Sequence, residues 1–163
     1  MNMPDPVDRL AIEDTIVRYT IAIDEKDWDL LDTVFTPDAH LDYSSSAPGV
    51  DDANAEYPTV KRWLQTALAI FPMTQHMVGK TYIRSWDGDT AQCTTLFHNP
   101  MGIPVGDDGK TWDPNGTQLF MFYVGGWYHD TVSRTPDGFR IVKKVEQSGY
   151  HDGGFPEGFG IPE

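Results

Sequence analysis

Only one cysteine, Cys93, occurs in the 163 residues. A single thiol makes neither an internal disulfide nor a thiolate metal site. In an alternating apolar run it reads as a small buried hydrophobe. Bases are scarce as well: 12 Lys and Arg stand against 25 Asp and Glu, a net charge of −13. That balance repels a phosphate backbone and an anionic bilayer surface, so no nucleic acid and no membrane is expected as a partner. No apolar run approaches the ~20 residues that span a bilayer. The opening "MNMPDPVDRL" has neither the basic flank nor the apolar centre of a signal peptide, and a cytoplasmic location is expected. No two histidines stand at HxH or HxxxH spacing and no glutamate–histidine motif occurs, so no catalytic metal is expected. The glycine-rich "GGFPEGFG" closes the chain and opens no helix, so it is no phosphate cradle. The "SSS" at 44–46 lacks the elbow context of a nucleophile.

Aromatic side chains, in contrast, are plentiful. Five Trp, seven Tyr and eight Phe exceed the needs of a minimal core, and some are expected to wall a cavity. The first half of the chain has helical period. Ile12, Ile16, Tyr19 and Ile23 form one stripe over 8–24, with Asp8 as a candidate cap. Asp27 begins a short second helix with Trp28, Leu31, Val34 and Phe35, stopping at Thr36-Pro37. A brief strand is predicted at 39–44, a loop at 45–57, and a third helix from Pro58 with Val60, Trp63, Leu64, Ala67, Leu68 and Phe71 on one side. The period then changes to two. Strands are predicted at 75–86 and 89–99 around the "WDGDT" turn, at 117–134, and from 139 to about 149 after "TPDG". Gly125-Gly126 marks a bulge or bend, and 100–116 reads as a long binding loop or lid. The order predicts one α+β domain over 1–150: a cone-shaped, curved antiparallel sheet wrapped over three N-terminal helices around a deep pocket. In the tail, 151–163, Phe155, Phe159 and Ile161 either cover the pocket mouth, meet a second subunit, or lack order.

The candidate chemistry begins at "TQHMVGK", 74–80. His76 opens a core-building strand, where a buried ring needs partners for both nitrogens. An imidazole suits moving a proton from carbon to a leaving hydroxyl; a core histidine satisfied by backbone is the plainer alternative. Asp24 ends the first helix, where the dipole disfavours negative charge unless a donor faces it. Tyr19 lies on the apolar stripe and Tyr43 in the early strand, and each buried hydroxyl needs a partner. His40 and His151 read as peripheral.

"IEDTIVRYTIAIDEKDWDLLDTVFTPDAHLDY", "TQHMVG" and "GGWYHDTVSRTPDGFRIVKK" together resemble the SnoaL-like branch of the nuclear transport factor 2-like superfamily, over about residues 8–150. That branch includes scytalone dehydratase, bile-acid dehydratases and polyketide cyclases. The resemblance implies a catalytic Asp24–His76 pair, with Tyr19 matching a bile-acid dehydratase tyrosine and Tyr43 a scytalone dehydratase one. Two features have no counterpart: Ile23 stands where scytalone dehydratase has a tyrosine, and no asparagine lies near Val124. The absence of an acid in 117–129 argues against a ketosteroid-isomerase arrangement. The implied activity is that of a cofactor-independent lyase, a dehydratase or retro-aldolase acting on a hydrophobic cyclic or aromatic hydroxylated molecule. His76, Asp24, Tyr19 and Tyr43 would be catalytic, and His98, Trp127 and His129 would line the pocket. A polyketide cyclase, an isomerase or a non-catalytic binding protein remain alternatives, and a homodimer or homotrimer is expected.

Overall fold

Helix α1 (Pro6–Glu25) starts where Asp5 accepts hydrogen bonds from the Val7 and Asp8 backbone N–H groups, so Asp5 rather than Asp8 is its cap. It ends at Lys26, the one non-glycine residue with positive φ (54°) among the described residues, 3–159 of this computed structural model. The left-handed turn lets the Asp27 N–H reach back to the Ala22 carbonyl at 2.9 Å and close the helix. Lys26 Nζ also donates to the Phe71 carbonyl at 2.8 Å, tying the end of α1 to the segment that carries His76. Helix α2 (Trp28–Asp32) is capped by Asp27 and is shorter than predicted. Val34 and Phe35 lie beyond it, Phe35 opening strand β1 (Phe35–Asp42), which therefore starts earlier than 39. Helix α3 (Tyr57–Ala67) buries Tyr57, Val60 and Leu64, a three-then-four spacing that makes one stripe.

The remaining strands are β2 (Asn54–Glu56), β3 (Met73–Thr74), β4 (Met77–Val78), β5 (Tyr82–Trp86), β6 (Thr90–Val105), β7 (Gln118–Thr135) and β8 (Gly138–Asp152). They form one curved, unclosed sheet in the order β2-β1-β8-β7-β6-β3, with β4 and β5 also paired to β6. All pairs are antiparallel except β1 with β8, which is parallel, so the sheet is mixed rather than antiparallel throughout. Six residues predicted as loop, 100–105, belong to β6. Its two prolines are tolerated because Pro100 faces the break between β3 and β4, and Pro104 lies past β3, where among the described residues only the Trp112 bridge flanks β6 and the Pro104 carbonyl alone is engaged, by the Asp113 N–H.

Two single-residue register shifts shape β8. Gly125 and Gly126 of β7 pair with Tyr150 and Ser148, leaving Gly149 extra on the opposite strand. A Cβ at Gly126 would lie 2.0 Å from the Gln147 carbonyl oxygen, so the expected bend demands glycine there. The second shift leaves Val142 extra between Ile141 and Lys143. It reverses the alternation: Phe139 and Ile141 point inward, and then Lys144 does. Lys144 Nζ meets Asp130 at 3.1 Å with both side chains fully buried, and it lies 4.1 Å and 3.6 Å from the Tyr19 and Tyr128 ring centroids. Among the described residues no helix is long and apolar enough to cross a membrane.

Candidate active site

The curved sheet and the helices leave a cavity of about 290 Å³. Its walls are largely apolar, with Trp63, Phe71, Phe97 and Phe122 among them. A shallower groove of about 530 Å³ runs beside α3, but its Lys61 is already paired with Asp32 and it holds no histidine.

His76 reaches the cavity because β3 and β4 are one strand interrupted at residues 75–76. The flanking register, Thr74 opposite Met101 and Met77 opposite His98, sets His76 opposite Asn99. His76 Nδ1 lies 2.6 Å from Asp24 Oδ1. The His76 backbone N–H donates to Asp24 Oδ2, also at 2.6 Å, and Thr74 Oγ1 donates to Oδ1 at 3.0 Å. Three donors thus offset the unfavourable helix end. Burial pushes the Asp24 pKa up, but the hydrogen bonds and charge of His76 outweigh it and hold the carboxyl below its ordinary value. Asp24 stands behind the ring, and His76 faces the cavity with its side chain 6% exposed.

Asn99 fixes the other nitrogen. Its Oδ1 accepts from the Gln75 N–H at 3.3 Å, which turns Nδ2 toward His76 Nε2 at 3.1 Å. A donor at Nε2 and a carboxylate at Nδ1 together select the tautomer with its proton on Nδ1. The Nε2 lone pair is then directed at Asn99 and the cavity.

Tyr19 and Tyr43 share a 2.9 Å hydrogen bond and both line the cavity, and the Tyr19 ring meets His76 edge-on at 6.3 Å between centroids. Burial raises both phenol pKa values, so both hydroxyls are neutral donors. One O–H is spent within the pair and one is free for a substrate oxygen.

His98, Trp127 and His129 do not line the cavity. In β6 the inward row is Cys93, Thr95, Phe97, Asn99 and Met101, which leaves His98 outside against Tyr150. In β7 Tyr128 and Asp130 are inward, so Trp127 and His129 face out, His129 bonding Thr94 and Gln147. His40 bonds Asn54 at the surface, whereas His151, read as peripheral, reaches the cavity rim.

Asn99 and Glu146 were not foreseen among the polar residues of the cavity. Asn99 had a signal, a lone amide in the inward row of β6, and it pairs with Val124 across the strands. Glu146 had none, because the Val142 shift inverts its side of the strand. Burial raises the Glu146 pKa above the ordinary glutamate value, against the opposing pull of Ser46, Lys144, His76 and His151.

The tail covers part of the opening. Glu157 pairs with Thr111, and its N–H and carbonyl bond Lys110 and Trp112 at 2.9 Å each. This sets Phe155 against Phe122 at the cavity edge, with Phe159 stacked on it at 4.8 Å. Ile161 lies outside the described residues.

Comparison with known proteins agrees with this architecture. A family model described as SnoaL-like domain matches residues 7–145. An uncharacterized protein of Mycobacterium tuberculosis (H37Rv) is 41% identical over 139 residues, covering 85% of this chain and 84% of the relative. Among solved structures, the Kfla4162 protein from Kribbella flavida superposes with a TM-score of 0.76 at 20% identity, covering 91% of this chain and 95% of that one. A candidate scytalone dehydratase from Novosphingobium aromaticivorans gives 0.71 at 17% identity, over 94% and 95%. A type 2 hexachlorocyclohexane dehydrochlorinase, LinA, gives 0.70 at 15% identity, over 94% and 99%. At these identities the three structures share the fold.

Proposed function

The chain belongs to the SnoaL-like family, and from that premise we propose that it is a cofactor-independent lyase that eliminates water from a hydrophobic, cyclic or aromatic β-hydroxy carbonyl compound. The observation that carries this reading is the 2.6 Å contact between His76 Nδ1 and Asp24 inside an aromatic cavity. His76 Nε2 takes the proton from the carbon next to the carbonyl. Asp24 holds the ring in the required tautomer and stabilises the imidazolium that forms. The Tyr19–Tyr43 pair presents its free O–H to the carbonyl oxygen, where negative charge develops. Asn99 must release Nε2 as substrate enters, and its amide is then available to a substrate oxygen. A volume of about 290 Å³, near the low end of the ~300–1,000 Å³ usual for small-molecule pockets, favours one or two rings over four.

The shared fold supports the reading in general terms, since dehydration and dehydrochlorination, named for two proteins of the same fold, are both eliminations. The test follows enone formation by absorbance from 3-hydroxy-1-phenylpropan-1-one. His76→Ala is expected to lower the rate about 10²–10⁴-fold with an unchanged circular dichroism spectrum. A variant that keeps the wild-type rate would refute the proposal.

A further inference from the structure

Among the described residues Glu146 is the one carboxyl group lining the cavity, and the elimination above leaves it unused. It enters from β8, whereas His76 enters beyond β6, so the two lie on either side of β6 and β7 in the sheet order. Among the described residues its side chain forms no ion pair; Lys144, the nearest cation along its own strand, is held by Asp130. Its partner is a hydroxyl. Ser46 Oγ bonds Glu146 Oε1, Ser46 and Ser148 hydroxyls lie 2.8 Å apart, and Ser148 Oγ lies 3.2 Å from Nε2 of exposed His151. This is an unbroken hydrogen-bonded chain from a half-buried, cavity-lining carboxyl to an imidazole in water. Serine hydroxyls both donate and accept, so such a chain passes a proton in either direction. Burial favours the protonated carboxyl, and the hydrogen bond from Ser46 and the charges of Lys144, His76 and His151 only partly oppose it. The other titratable groups around it are Tyr19, Tyr43 and Tyr128, all neutral, and Asp130, which is committed to Lys144.

We propose that Glu146 is the general acid of the reaction, that its proton goes to a departing hydroxyl group, and that Ser46, Ser148 and His151 return a proton to it from solvent. The proposal rests on the reading of His76 as the base. His76 Nε2 removes the proton from carbon, and the C–H electron pair becomes the new C=C bond. The C–O bond breaks and the leaving oxygen takes the Glu146 proton to depart as water. One proton then leaves His76 and one enters through His151, which restores both groups. The substrate class narrows accordingly. Hydroxide is a poor leaving group and needs this acid, whereas chloride departs without one.

A matched pair of probes tests this, 3-hydroxy-1-phenylpropan-1-one and its 3-chloro counterpart, which yield the same enone. In Glu146→Gln the ratio of hydroxyl to chloro turnover is expected to fall about 10²–10⁴-fold, the range for loss of a general acid. An equal loss on both probes means a structural role and overturns the proposal, while His76 as base stands. His76→Ala should depress both probes; if it depresses neither, the base assignment fails, and the Glu146→Gln ratio still judges the acid. Infrared difference spectra of wild type against Glu146→Gln at pH 7 give a readout without substrate. The C=O stretch of a protonated carboxylic acid is expected, and a carboxylate signature in its place overturns the proposal. His151→Gln should lower steady-state turnover of the hydroxy probe more than its first turnover; equal effects overturn the relay.

Discussion

Asp24→Asn separates the orienting role of Asp24 from its bulk. Asp24 accepts from two groups of His76, the backbone N–H and Nδ1, each at 2.6 Å. Asparagine has one acceptor and one donor at these positions. The backbone N–H cannot change its role, so the asparagine oxygen turns to it and the NH₂ faces Nδ1. The ring must then accept at Nδ1 and carry its proton on Nε2. That points an N–H at Asn99 Nδ2, 3.1 Å away, where donor meets donor, and it removes the lone pair from the cavity. The wrong tautomer in a comparable dyad costs about 10⁴ in kcat, so a loss of about 10³–10⁴ is expected on the hydroxy probe with little change in KM. Stability should fall by about 1–3 kcal/mol, the usual cost of leaving a buried hydrogen-bonding group unmatched. The direct assay is long-range ¹H–¹⁵N NMR of the imidazole. Wild type should show a protonated Nδ1 and a bare Nε2, and the variant the reverse. A wild-type ring protonated on Nε2, or a variant with unchanged tautomer and undiminished turnover, would refute the reasoning. The variant also has an acid signature. The Asp24 pKa is lowered in the fold, so its contribution is full above about 3.8 and is lost as pH falls through the lower folded value. Asp24→Asn should lack that part of the acid unfolding limb in pH-dependent urea melts.

Glu146 has the opposite sign. Its folded pKa is raised above 4.5, so its contribution is complete below that pH and is lost as pH rises toward and through the folded value. Glu146→Gln should therefore gain thermal stability relative to wild type as pH rises above 4.5, and a constant difference would contradict the burial argument. Lys144→Met leaves Asp130 buried without its cation and should cost about 3–5 kcal/mol in urea unfolding, much of it recovered by adding Asp130→Leu. Gly126→Ala, with a Cβ 2.0 Å from a carbonyl oxygen, should cost about 1–3 kcal/mol in the same experiment. Phe155→Ala opens the cavity rim and should speed dissociation of a bound aromatic ketone in stopped-flow fluorescence, with a smaller effect on association.

What could be read in advance follows the periodicities. The stripe Ile12–Ile16–Tyr19–Ile23 gave α1, and the change to period two gave the strands β5 to β8 in outline. The acid and histidine that meet came from resemblance to a family, because no local pattern links residues 24 and 76. The misses have local causes. One extra residue at Val142 turns Lys144 and Glu146 inward, and no side-chain pattern announces a bulge made of valine. His98, Trp127 and His129 stand outside the cavity because Phe97 and Tyr128 set the inward parity of their strands. Prolines 100 and 104 suggested a loop because edge positions are invisible until the strand order is known. The parallel β1–β8 pair joins segments roughly a hundred residues apart, a contact that no short-range spacing encodes.

That same pairing dictates an order of events during synthesis. Strand β1, with β2 beyond it, joins the sheet only through β8, the last strand to emerge. Until residue 152 has left the ribosome, the β1–β2 pair has no edge to join, and α1 lacks the strand it packs against. Hairpin β6–β7 has both its strands before β8 emerges, while the N-terminal third needs a partner roughly a hundred residues downstream, as separations such as Leu41 to Lys144 show. Folding of the cavity is thus a late, long-range step, and a slow rate is its expected consequence. A chain halted before β8 would expose the inner aromatic face of the sheet, the surface on which aggregation begins.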